Sequence, residues 1–298
     1  MAIQFVDVLV SLVLGLVMFG VGLSLTAREF QKILKRPKEL AVALTGQLVV
    51  LPLIAFILAF LHPSLPPEIK TGFIILAASP GGATAGLIAY LFRGNVALSL
   101  SITTVNSFLT LFTIPLVVNL GLNHFMGTQS ELHLPFWETV IQIFSITLIP
   151  ASLGVILRHY RTHLADKIER PSRYVMLGLL LTVFFIKIFA GESQGGASLS
   201  MNEIWMVLPH ALVQNAACLF FGYFFLKYFG AAQPSRITAA IESGVQNTTL
   251  SFLIAGTLIG DQQMVIPPLV YSMFSFVTAS IFCYISNRMN GQIPPIKI

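Results

Sequence analysis

Glu242 is the chain's one acidic side chain set deep inside an apolar run, and the residues beside it are those most able to do chemistry. It opens the stretch Glu242-Ser243-Gly244-Val245-Gln246-Asn247-Thr248-Thr249, a polar interruption of the otherwise apolar window 236–258. An ionised carboxylate at the depth of a bilayer core costs on the order of 3 kcal/mol, even on permissive insertion scales, unless something neutralises it. A bound cation, a proton or a basic partner would do so. No Lys or Arg lies at comparable depth, which leaves a cation or a proton. Hard cations of sodium's size take oxygen ligands, and carboxylate, amide, hydroxyl and backbone carbonyl are all available near Glu242. A second interruption, Ser79-Pro80-Gly81-Gly82-Ala83-Thr84, sits in the middle of the apolar window 70–91. Pro80 removes a backbone donor and the glycines add freedom without packing surface, so this segment is expected to be unwound and buried.

The elements that carry these residues follow from composition. Of the 298 residues 55% are hydrophobic and 10% charged, against roughly a quarter charged in soluble domains. Too little charge is present to cover a water-facing surface, and lipid is the natural solvent. Nine apolar windows are long enough to cross about 30 Å of hydrocarbon: 5–25, 40–61, 70–91, 95–120, 136–157, 173–190, 204–229, 236–258 and 262–287. The loops test that map. Arg28, Lys32, Lys35, Arg36 and Lys38 follow the first window, and Arg158, Arg161, Lys167, Arg170 and Arg173 lie around the link from the fifth to the sixth. Arg93, Lys227, Arg236, Arg288 and Lys297 fall on the same side, leaving only Lys70 and Lys187 opposite. Such asymmetry places the basic side in the cytoplasm, with the N-terminus outside and the C-terminus inside, in a cell membrane. The net charge of +5 is thus a topology signal rather than a nucleic-acid-binding patch. The N-terminal run has no preceding Lys or Arg and reads as a retained span rather than a cleaved signal. Cys218 and Cys283 read as small core residues, His210 as a packed residue, and Lys187 as a side chain snorkelling to the outer surface.

The interrupted windows are the third and the eighth. Five spans apart, they cross the membrane in opposite directions, and the second and seventh windows each carry an amide, Gln47 and Gln214-Asn215. This is the pattern of an inverted-topology repeat whose two broken helices meet at the midplane, as in secondary transporters. The fifth span has no mate, so the expected fold is all-α and integral to the membrane, a five-plus-five architecture with its first helix missing.

At these residues the sequence resembles the bile acid:sodium symporter family. The likeness covers MFGVGLSL, GQLVVLP, SPGGATAGLIAYLFRGNVALSLSITT and IESGVQNTTLS, nearly the whole chain. It implies one transporter domain, 1–298, with a core from about 40–120 and 204–287 containing the two crossing broken helices, and a panel from about 5–25 and 136–190. It also implies a sodium site made by Gln47, Glu242, Ser243, Val245 and Gln246. The family's other sodium site uses a Ser-Asn pair after the Gly-Gly break, hydroxyls of the next helix and the same glutamate. Here Ser99 and Thr103 are kept, but Ala85-Gly86 stands where Ser-Asn would be, and Thr84 and Asn106 are the available substitutes. Half-helix N-termini direct N–H groups and positive dipole ends at anions, which makes Gly81, Gly82, Ala83, Thr84 and Asn247 the expected substrate contacts. A His-Asn pair frequent in the family's last span is absent from 271–277, so a smaller organic anion is as consistent as a bile acid.

The expected function is sodium-coupled uptake of an organic anion by alternating access, with Na+ as coupling ion and no organic cofactor. Proton coupling or export on the same architecture is the alternative. An intramembrane enzyme would need a nucleophile–base set or a metal cluster at depth, and no HExxH, GxSxG or paired-Asp motif is present.

Overall fold

A computed structural model describes residues 2–25, 37–81, 83–127, 132–189 and 199–291. The described residues are helical or in short connections, with no strand among them. In chain order the helices are α1 (Ala2–Ser24), α2 (Pro37–Leu61), α3 (Pro67–Ala77), α4 (Ala83–Leu91), α5 (Val96–Met126) and α6 (Phe136–Tyr160). They continue with α7 (Thr162–Phe189), α8 (Met201–Tyr228), α9 (Gln233–Gly244), α10 (248–259) and α11 (Gln263–Met289).

Five of these, α2, α5, α6, α8 and α11, are by themselves long and apolar enough to cross a membrane. A bent pair within α7, Thr162–Glu169 and Tyr174–Phe189 at 42°, passes the same test as a unit, and α1 contributes the shorter apolar stretch Val8–Ser24. The windows 70–91 and 236–258 are not continuous helices. Helix stops at Ala77 and resumes at Ala83, and stops again at Gly244 and resumes at Thr248. The helix spanning the sixth window begins at Thr162, eleven residues before the expected edge of 173, because Pro171 bends it without ending it.

Outward faces of α2, α6 and α8 carry Leu53, Ile57, Phe60, Ile141, Leu153 and Phe220, all exposed. A water-soluble protein would not leave so much large apolar side chain uncovered along whole helix faces. The core lies between α1, α3, α5, α10 and α11, where Leu14, Ile69, Leu76, Ile114, Leu253 and Leu269 are buried together. Helix α1 packs along α6 and α7, whereas α8 packs along α9 and α11, and α9 against α4. At the end of α1 the Arg158 guanidinium ties three helices together, donating to the Leu23 carbonyl and to Asp166 and Glu169.

Lys187 departs from expectation. It is 1% exposed rather than snorkelling, with its ammonium beside Gly256 of α10. That neighbour lies on a helix distant in sequence, so the apolar window around Lys187 does not reveal it. Arg28, Lys32, Lys35, Arg36 and Lys297 lie outside the described residues.

Candidate functional site

The two helix breaks meet. The Asn247 N–H donates to the Ser79 carbonyl across them at 3.0 Å, so each break supplies backbone groups that the other's unwinding left free. Gly81 lies at the closest approach: a Cβ there would come within 2.7 Å of the Glu242 carbonyl and 3.0 Å of both Glu242 Oε2 and the Val245 carbonyl. Three oxygens therefore converge on the one residue type that lets them come so near. Gly82 lies outside the described residues, and α4 begins at Ala83.

Glu242 is 0% exposed. The Ser99 hydroxyl donates to its Oε1, Gln47 and Thr103 reach toward the same carboxyl, and its Oε2 has no hydrogen-bond partner. Gln47 sits in a π turn, Gly46–Val50, within α2. Such single-turn widenings recur at functional sites because they redirect one side chain out of the helical register. Its Oε1 accepts from Asn106 Nδ2, while Gln47 Nε2 and Asn106 Oδ1 are buried without partners. Ser99, Thr103 and Asn106 lie on one face of α5 at i, i+4 and i+7, all buried.

On the far side of Glu242, Gln246 Nε2 donates to the Ser243 carbonyl at 2.7 Å, leaving its Oε1 buried and unpaired. Three unpaired acceptors thus remain, on Glu242, Gln246 and Asn106, against one unpaired donor, Gln47 Nε2. Buried polar atoms are almost always satisfied in folded proteins, so a cluster deficient in donors has the chemistry of a cation site. The carbonyl of Gly244, by contrast, is fully used: Asn215 Nδ2 and the Tyr271 hydroxyl each donate to it at 2.8 Å. Thr278 Oγ1 holds the Asn215 oxygen at 2.6 Å. This network pins the end of α9 from α8 and α11. Gln214-Asn215 was visible in sequence as an amide pair in an apolar run, but nothing in the spacing pointed to Tyr271 or Thr278.

A cleft of about 20 Å³ opens beside the crossing, lined by Pro80, Gly81, Thr103, Asn106 and Asn247, with Met18 of α1 and Thr147 of α6 opposite. Of the expected substrate contacts, Gly81 and Asn247 line it and Thr84 does not. Asn247 Oδ1 is occupied in capping α10 through the Leu250 N–H, so its amide N–H groups are what it has left to offer. Ala85 is buried, and a Cβ at Gly86 would meet the Ser99 hydroxyl at 3.5 Å. Position 86 therefore faces the Ser99–Glu242 pair without giving it an oxygen. Among the described residues no group of three or more His, Cys, Asp or Glu side chains is placed to hold a metal ion.

The sequence profile of a family described as the sodium bile acid symporter family matches residues 11–196. The chain is 26% identical to a Bacillus subtilis (strain 168) protein named as an uncharacterized sodium-dependent transporter, over 91% of this chain and 81% of that one. It is 26% identical to the human ileal sodium/bile acid cotransporter, over 91% of this chain and 76% of the relative. A rice (Oryza sativa subsp. japonica) protein named as a probable chloroplastic sodium/metabolite cotransporter is 27% identical over 89% of this chain, which spans 62% of that protein's length.

Proposed function

The chain belongs to the sodium bile acid symporter family, a family of sodium-dependent multi-pass membrane transporters rather than enzymes, and from that premise we propose that it takes up a small organic anion coupled to sodium by alternating access. The observation that carries this reading is Glu242, fully buried at the meeting of the two breaks with one carboxylate oxygen unpaired. Sodium is held by Glu242, Gln47 and Gln246 together with the Ser243 and Val245 carbonyls, and Ser99 and Thr103 support the same carboxylate from α5. The anion binds in the cleft next to the ion, against the side-chain amide of Asn247, with Gly81 of the first break completing the contact.

In this reading α1, α6 and α7 form the panel, and α2–α5 with α8–α11 form the core. The chain then crosses the membrane nine times as an inverted repeat, N-terminus outside. A cleft of about 20 Å³ holds little more than one water. Admitting an organic anion therefore needs Met18 and Thr147 to draw away from the crossing, a movement of panel against core. Sodium neutralises Glu242 and favours an adjacent negative charge, which makes the two ligands bind cooperatively.

The test is thermal stability of the purified protein against a panel of organic anions, bile acids and short carboxylates included, in sodium and in potassium. The expected result is an anion that stabilises the protein in sodium and not in potassium. Stabilisation by anions that is equal in both salts, with uptake driven by a proton gradient, would replace sodium with a proton as the coupling ion.

A further inference from the structure

Asn106 belongs to two neighbourhoods at once. Its amide donates to Gln47 Oε1, and the residue also lines the cleft beside Gly81 and Asn247. The pair it makes with Gln47 is half used: Gln47 Nε2 and Asn106 Oδ1 are each buried with no partner. A glutamine carboxamide has one oxygen, and here that oxygen is turned to Asn106 rather than left free for an ion. We propose that Asn106 is the coupling residue between sodium and anion, its carboxamide turning over together with that of Gln47 when sodium binds. This rests on Gln47 being a sodium ligand.

The atoms balance in both states. Before sodium, Asn106 Nδ2 donates to Gln47 Oε1. Sodium beside Glu242 draws Gln47 Oε1 toward itself, and Gln47 Nε2 swings round to face Asn106. Asn106 then accepts through Oδ1, and its NH2 group moves to the end where the oxygen was. One hydrogen bond is exchanged for another, and an unpaired acceptor becomes an available donor. The change has the sign that symport requires, since an N–H donor attracts an anion and a bare carbonyl oxygen repels it. By linkage, an anion held by that N–H favours the turned state and so tightens sodium binding.

The experiment places a reporter in the cleft. Ser107, next along α5, also lines it, and the native Cys218 and Cys283 are buried and unreactive. In the Ser107→Cys protein, labelling by an anionic and a cationic methanethiosulfonate is compared with and without sodium, alongside sodium-dependent thermal stabilisation. Sodium is expected to raise the anionic-to-cationic labelling ratio about fivefold or more. With Asn106→Leu added, sodium should still stabilise the protein through Glu242, Gln47 and Gln246, though less, while most of the rise in the ratio disappears. Asn106→Asp accepts from Gln47 Nε2 but has no N–H to present, so sodium should bind more tightly while most of the rise in the ratio is again lost.

The ion's own charge acts on the reagents whatever residue stands at 106. A full sodium-induced rise in either variant, or no rise in the Ser107→Cys protein that sodium nevertheless stabilises, overturns the proposal. Absence of any sodium stabilisation, even before residue 106 is changed, overturns the sodium site itself, a distinguishable failure.

Discussion

At the scale of single residues, the site is an excess of oxygen. Glu242 Oε2, Gln246 Oε1 and Asn106 Oδ1 are buried acceptors without donors, and each such group costs about 1–3 kcal/mol if left unsatisfied. Gln47→Ala removes an uncharged ligand while leaving the carboxylate, so sodium affinity should fall about tenfold, or about 1.4 kcal/mol, in a protein that still folds. Unchanged affinity in both Gln47→Ala and Gln246→Ala would remove the amides from the site. The double change Ala85→Ser with Gly86→Asn tests the second ion. Position 86 points at Ser99 from 3.5 Å, close enough for an Asn side chain to join Ser99, Thr103 and Glu242. The Hill coefficient for sodium should rise from near one toward two, and a native value already near two would mean that existing groups complete that site. Glu242 and Gln246 were legible in the sequence because polar residues stand out in an apolar run. Asn106 was legible only as one of two substitutes for a missing ligand, since its bond to Gln47 depends on a π turn in α2 that no residue pattern announces.

At the scale of elements, the breaks work because other helices satisfy what they expose. The Gly244 carbonyl, left free where α9 stops, has two donors, Asn215 from α8 and Tyr271 from α11. Tyr271→Phe keeps the ring and one donor, and should lower stability by about 1 kcal/mol. Asn215→Leu removes its bonds to the Gly244 carbonyl, the Tyr271 hydroxyl and Thr278 together, and the loss should be roughly 2–3 kcal/mol. Thermal unfolding in detergent measures both, and equal effects from the two changes would mean that Asn215 is not the hub of the network. The positions of the two breaks could be read directly, because Pro80 with its glycines and the polar stretch at 242–249 cannot continue a lipid-facing helix. Helix edges and Lys187 could not. The start of α7 at Thr162 reflects a proline that bends rather than terminates, and the burial of Lys187 comes from packing against α10, a helix distant in sequence.

At the scale of the whole molecule, the all-helical, apolar architecture and the family follow from composition, the paired breaks and the motifs around them. Substrate identity does not, because a cleft of about 20 Å³ is too small for its shape to record a cargo. If one sodium accompanies one monovalent anion, the cycle moves no net charge, and uptake should change little when a membrane potential is imposed on proteoliposomes. Two sodium ions would add about 2.3 kcal/mol of drive per 100 mV, and strongly voltage-dependent uptake of a monovalent substrate would reveal them. The central claim, that Glu242 holds a coupling sodium ion, is tested most directly by equilibrium binding of radioactive sodium to the purified protein and to Glu242→Gln, which keeps the side chain's shape without its charge. The account predicts saturable binding with a Hill coefficient near one in the native protein and its loss in the folded variant; unchanged sodium affinity in Glu242→Gln would contradict it.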